Sequence, residues 1–238
     1  MAKRPLFVPC SSDRLGVRID MVQFDWFPGF SGAQKQRSVQ SLHRAAVEKG
    51  EGPVLEVSSK SPQQIGKQLS SFNLTFKPQN SQSIMSVEAA FHGSKVFANG
   101  GPFTDLLYAT PLQAKHDPRL RQAGKLVSFR FLGIEFSIDP PTEFYDWLYI
   151  NAVNRHREFA PVLQPYRAFT DIEFNPRRSV NCQAHAVALF VSMMRTGLSP
   201  QMARDPGELR RILSAYYASD SYTIVREWAR SQASSPNG

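Results

Sequence analysis

Apolar residues alternate at Val17, Ile19 and Met21, then at Val22, Phe24 and Trp26 on the opposite parity. This predicts an extended segment holding a bulge or two meeting strands, ended by Pro28-Gly29. From Ser31 the spacing becomes helical, with Val39, Leu42 and Ala46 on one face and Gly50 as the cap. Val54–Val57 reads as a short strand. Ser61-Pro62-Gln63-Gln64 reads as a capped helix start. Leu74–Phe76 is extended. Ser86 then caps a helix expected to run through Phe97, stopped by Asn99-Gly100-Gly101-Pro102. A short helix follows near Asp105–Leu107, and Leu126–Phe136 forms one or two strands. Thr142 opens a strong helix, Phe169–Phe174 is a short strand or loop, and Asn181–Thr196 is a helix ended by Gly197. Asp205-Pro206-Gly207-Glu208 opens a helix over Leu209–Ala218, and Ser221–Arg230 is a last one.

Strands early and helices late predict an α+β domain rather than alternating βαβ units. The expected division is a strand–helix extension over 1–52, a main helix-rich domain with a small sheet over 53–231, and a disordered tail over 232–238. Hydrophobic residues at 42% of 238 are enough for a core. No apolar run reaches the ~18 residues of a membrane span. No signal-peptide core follows the first residues, so the expected location is the cytoplasm, with no membrane partner. Cys10 and Cys182 make neither a disulfide framework nor a cysteine zinc site. The net charge of +8 points to a polyanionic partner without identifying one.

Two segments carry candidate chemistry. In Val87–Phe97, Glu88, His92 and Lys95 stand at i, i+4 and i+7, sharing one helix face beside Phe91 and Phe97. From spacing alone the trio reads first as a solvated polar face with one ion pair, as ordinary helices carry. In Phe169–Ala184, Asp171 and Glu173 precede the turn Asn175-Pro176. Arg177 and Arg178 there are candidate phosphate ligands ahead of a helix N-terminus that includes Asn181. The ordinary alternative is an N-cap loop with solvated arginines. His185 sits in an apolar helix as a core histidine. No P-loop, dinucleotide glycine motif, nucleophile elbow or His-Glu-x-x-His is present.

Taken together, Leu69–Asn73 and Ser86–Phe97 resemble the NADAR (YbiA-like) pattern, a Leu-Ser-Asn-Phe stretch followed by a Thr-Val-Glu-His-x-x-Gln-x-x-Lys-Phe helix. Further segments resemble the NADAR branch associated with DarT-type DNA ADP-ribosyltransferase toxins. They are Phe24–Phe30, Gln34–Gln36, Leu55–Ser61, Tyr145–Tyr149 and Phe169–Gln183. The likeness spans most of residues 5–195. His92 stands where the pattern commonly has Gln, Asn73 is displaced from its order, and Ile172–Asn175 replaces a usual Trp-Gly.

The resemblance implies a NADAR fold and an antitoxin that removes ADP-ribose from guanine bases in DNA by cleaving the N-glycosidic bond. Glu88 and Lys95 match the family's active-site pair, and Asp171 resembles its later acid. Trp147 resembles the helix tryptophan of its pocket. Substrate contacts are expected from Trp147, His92, Asn73, Phe103, Arg177, Arg178 and Asn181. Such chemistry needs a carboxylate beside an oxocarbenium-like ribose C1 and a proton for the leaving nitrogen. Lys95 serves either as a nucleophile forming a Schiff base or as a cationic acid. No cofactor or metal is implied. The implied partners are ADP-ribosylated DNA, single-stranded or with the base flipped, then ADP-ribose and the cognate toxin. Two other readings stand beside this one. The first is an N-glycosidase on small phosphorylated riboflavin-pathway intermediates. The second is a non-catalytic antitoxin that binds toxin or DNA.

Overall fold

The computed structural model describes residues 1–10, 13–29, 31–78, 83–176, 179–198, 206–219, 222, 223 and 227. Its first strand, β1 (Ala2–Pro9), precedes the alternating segment and pairs antiparallel with β2 (Val17–Phe24), from Ala2↔Phe24 to Pro9↔Val17. β1 shows no period-two alternation because Pro5–Pro9 are buried on both faces, Leu6 in one apolar cluster and Phe7 in another. The pairing along β2 is unbroken, so the expected bulge is absent. The parity change reflects a half-buried middle, Ile19–Met21.

The remaining elements follow in order: α1 (Gly32–Glu48), β3 (Val54–Glu56), α2 (Gln64–Gln68), β4 (Thr75–Phe76), β5 (Met85–Ser86), α3 (Val87–Gly93) and β6 (Lys95–Phe97). A 3-10 turn (Thr104–Tyr108) leads to α4 (Pro111–His116), α5 (Arg119–Gln122), β7 (Leu126–Phe131) and β8 (Ile134–Phe136). Then come α6 (Glu143–Asn154), α7 (Phe159–Leu163), β9 (Ala168–Thr170), α8 (Gln183–Arg195) and α9 (Pro206–Tyr217). This is the expected α+β class, with one four-stranded sheet in the order β2-β1-β9-β3 and two smaller ones. Residues 1–52 contribute two of those four strands, and β1 meets β9 at Phe7↔Phe169. The expected helix at Ser221–Arg230 and the tail over 232–238 lie largely outside the described residues.

One sheet face is covered by α1 through Val39, Leu42 and Ala46, which pack on Leu6, Val22, Phe24 and Val54. The other face meets the main core, where α6 and α8 cross. Residues Gln183–Met193 of α8 are all buried, so this helix is apolar nearly all round rather than amphipathic. His185 sits within it beside Asp146 at 3.4 Å and the Tyr216 hydroxyl at 3.4 Å. No described helix is long and apolar enough to cross a membrane.

Two local features aim the site loops. β3 and β9 run parallel from Val54↔Ala168 to Glu56↔Thr170, so the chain leaves both strands side by side. Beneath them α2 makes its closest approach at Gly66. A Cβ there would lie 2.0 Å from the Glu56 carbonyl oxygen and 2.2 Å from Ser61 Oγ. Ser61 is not the expected helix cap. Its hydroxyl accepts from Gln63 N–H at 3.2 Å, closing a tight turn just before α2.

Gly66→Ala should therefore lower stability by about 1–3 kcal/mol, as overpacking does. Gly32→Ala, with nothing within 4 Å of its added Cβ, should stay within about 0.5 kcal/mol. Equal denaturant midpoints for the two variants would contradict this packing.

Candidate active site

α3 begins as its sequence dictates, with Ser86 Oγ accepting from Ala89 N–H at 3.1 Å. It stops earlier than expected. The helix ends at Gly93, where a Cβ would meet Leu107 Cδ2 at 2.9 Å. Ser94 Oγ folds back to the Ala90 carbonyl at 2.6 Å. Lys95–Phe97 then leaves as a strand, pairing with β7 from Lys95↔Phe129. Lys95 thus stands on β6 and not on the helix face. Cross-strand pairing of Val96 and Phe97 wins over continued helix.

The three side chains nonetheless converge. His92 Nε2 lies 3.3 Å from Glu88 Oε1, and Lys95 Nζ lies 3.1 Å from His92 Nδ1. Glu88 is 7% exposed, so its charge must be met locally. Ser71 Oγ donates to Oε2 at 2.8 Å, and Lys115 Nζ from α4 sits 3.1 Å from Oε1. Burial opposes ionisation, but the His92 hydrogen bond, the Lys115 charge and the Ser71 hydroxyl outweigh it and hold the Glu88 carboxyl at about 2. An ionised Glu88 only accepts, so His92 Nε2 carries the hydrogen. Nδ1 then offers its lone pair to Lys95.

The Lys95 amine lies 4.6 Å over the Phe91 ring, and Tyr145 meets that ring edge-on at 5.2 Å. Burial lowers its pKa to about 8; Glu88 opposes this and Lys115 reinforces it. Burial likewise lowers His92, with the Lys95 and Lys115 charges adding and Glu88 opposing. A part-neutral amine with a neutral imidazole as its proton acceptor is an activated nucleophile. Lys115, 47% exposed and 4.9 Å over Phe72, marks the open side of the cluster.

A second buried acid group lies behind. Glu56 Oε1 accepts from Ser58 Oγ at 2.6 Å and Ile172 N–H at 2.8 Å, while Oε2 accepts from Thr170 Oγ1 at 2.7 Å. Thr170 in turn takes the His43 Nε2 hydrogen at 2.9 Å. Burial raises Glu56 to about 7 and lowers His43 to about 4. Asp171 Oδ1 accepts from Glu173 N–H at 3.0 Å and Phe174 N–H at 3.1 Å. Burial, then the Glu56 charge, pushes its carboxyl well up. Gln183 bonds Asp171 and accepts from Ser71 N–H at 2.8 Å, so Asp171 reaches Glu88 through Gln183 and Ser71 rather than directly.

The other expected contacts are dispersed. Trp147 is 4% exposed and packs on Phe136 at 4.9 Å and Phe131 at 6.2 Å. It is a core residue, and its α6 neighbour Tyr145 is the one that faces Phe91. Asn73 is exposed and donates to the Lys67 carbonyl at 2.9 Å as a turn residue, while its neighbour Phe72 lies under Lys115. Phe103 packs near Ala89, Leu106 and Ala114 and carries Arg119 over its ring at 4.7 Å. Asn181 N–H donates to Ser179 Oγ at 3.2 Å, and its buried Oδ1 has no partner among the described residues. Arg177 and Arg178 lie outside the described residues.

Ser71, Lys115, Gln183 and Tyr145 join the site without having been singled out. Ser71, Gln183 and Tyr145 fall inside segments that carry the family likeness, whereas Lys115 had no local signal. Among the described residues no three His, Cys, Asp or Glu side chains gather as a metal site. A cavity of about 490 Å³ beside Leu15, Leu198, Ile212 and Tyr216 shares none of the cluster's residues.

The Lys95 amine should label with an acylating reagent with a midpoint near pH 8. Lys115→Met removes a neighbouring cation and should move that midpoint upward. An ordinary lysine midpoint, about 10.4, in the unaltered protein would contradict the geometry.

A family model described as the DarT1-associated NADAR antitoxin matches residues 2–223. No curated protein matches the chain.

Proposed function

Since the chain belongs to the family of DarT1-associated NADAR antitoxins, we propose that it is an antitoxin enzyme that removes ADP-ribose from guanine in DNA. The observation that carries this reading is the buried Glu88–His92–Lys95 relay, whose amine is held near 8 with a proton acceptor 3.1 Å away. Cleavage of an N-glycosidic bond needs a nucleophile at C1, charge stabilisation as that carbon becomes cationic, and a proton for the leaving base.

The neutral Lys95 amine attacks the ribose C1 while the bond from C1 to the guanine nitrogen breaks, its electron pair staying on the base. His92 Nδ1 takes the proton that Lys95 loses. The imidazolium so formed is stabilised by ionised Glu88 at Nε2, the arrangement by which an acid orients a histidine base. The His92 imidazolium returns that proton to the leaving nitrogen, and restored guanine departs. Opening of the ribose ring yields a Schiff base on Lys95. Water adds to it, and ADP-ribose leaves as the amine is regenerated. Asp171 and Glu56, both raised in pKa, hold the loop behind Ser71 and keep the Glu88 carboxylate oriented.

The lysine-acid alternative fits less well. Burial lowers the amine to about 8 and so favours its neutral, nucleophilic form over the ammonium that an acid role needs.

Lys95→Ala and Glu88→Gln should each slow release of ADP-ribose from a guanine-modified oligonucleotide by roughly 10²–10⁴-fold, followed by mass spectrometry of the restored strand. Full rescue from the toxin by both variants would instead mark a non-catalytic antitoxin.

A further inference from the structure

A cationic and aromatic face built by β1, β2 and α1 stands beside the Asp171 loop and has no part in the chemistry above. The segment after β2 is pinned by two α1 hydroxyls, Ser41 Oγ accepting from Asp25 N–H at 3.1 Å and Ser38 Oγ from Phe27 N–H at 3.0 Å. This fixes Trp26 and Phe27, both half-buried, on the outer surface. Arg4 lies 5.4 Å and Lys35 5.5 Å from the Trp26 ring centre, and Arg37 stacks on Phe27 at 4.1 Å. Lys35 also bonds Glu173 at 2.8 Å, two residues beyond Asp171, so its charge is met within this face.

Rings under cations lower the entropy of long basic side chains and leave their outer faces free. Arg37 is exposed and has no carboxylate partner among the described residues. The Arg4 Nε hydrogen is buried and unsatisfied. Burial lowers Arg4, while Asp171 and Glu173 oppose it. A guanidinium laid flat on a ring presents both a stacking face for a base and edge donors for a phosphate.

We propose that this face binds the single-stranded DNA that flanks the modified guanine, with Arg37 on a phosphate. The inference rests on the proposed substrate and names where the rest of that strand lies.

The test is fluorescence anisotropy with an unmodified, fluorescein-labelled single-stranded oligonucleotide and the full chain, over a range of NaCl concentrations. Arg37→Ala should weaken binding at least about fivefold and reduce the logarithmic salt slope by about 0.7, the share of one phosphate contact on a single strand. Arg155→Ala removes the same charge from an exposed site at the end of α6 and should do neither. Equal behaviour of the two variants, or no binding by the unaltered protein, overturns the inference. So does loss of toxin neutralisation in Arg37→Ala with DNA binding intact, which would assign the face to a protein. Binding is read without turnover, so failure of the proposed reaction shows separately in ADP-ribose release.

Discussion

A carboxylate set in an apolar shell must find its counter-charge nearby, and Glu88 imposes that constraint on everything around it. Its two oxygens draw Ser71 from the turn after α2, His92 from one turn along α3 and Lys115 from α4. The Ser71 and Lys115 contacts bind two separate stretches of chain to one helix start. The carboxylate also determines the histidine tautomer, because an acceptor-only Glu88 holds the hydrogen on Nε2. The lone pair left on Nδ1 makes Lys95 more than a buried amine. Lys115 acts at both ends, stabilising the Glu88 charge and disfavouring a second one at Lys95.

Support for that arrangement runs backwards through the four-stranded sheet. β3 and β9 end together, and the acids just at and beyond their ends, Glu56 and Asp171, are satisfied by backbone N–H groups, hydroxyls and Gln183. Gly66 lets α2 close beneath them. The first strands complete the sheet, and α1 covers its outer face. Chemistry carried by a seven-residue helix is therefore rigid only because elements far apart in sequence meet behind it.

Much of this was legible in the residues. The Ser86 cap, the α+β class and the grouping of Glu88, His92 and Lys95 all follow from spacing and from the family likeness. What spacing misassigned was the carrier of Lys95. A helix drawn through Phe97 brings the trio together on one face, but Gly93 and β-pairing of Val96 and Phe97 place the lysine on a strand that reaches the same point. β1 hid because burial on both faces erases alternation. Trp147 and Tyr145 stand two apart on one helix, and only packing decides which faces Phe91. Lys115 was one of many scattered cations, since a long-range ion pair leaves no local pattern.

The central claim is that burial and the Glu88–His92 relay turn Lys95 into a nucleophile. Borohydride reduction during turnover of a guanine-ADP-ribosylated oligonucleotide, followed by peptide mass spectrometry, tests it directly. The account predicts a reduced ADP-ribosyl adduct on the peptide bearing Lys95, absent from Lys95→Ala. Turnover with no trapped adduct, or an adduct that persists in Lys95→Ala, would contradict it.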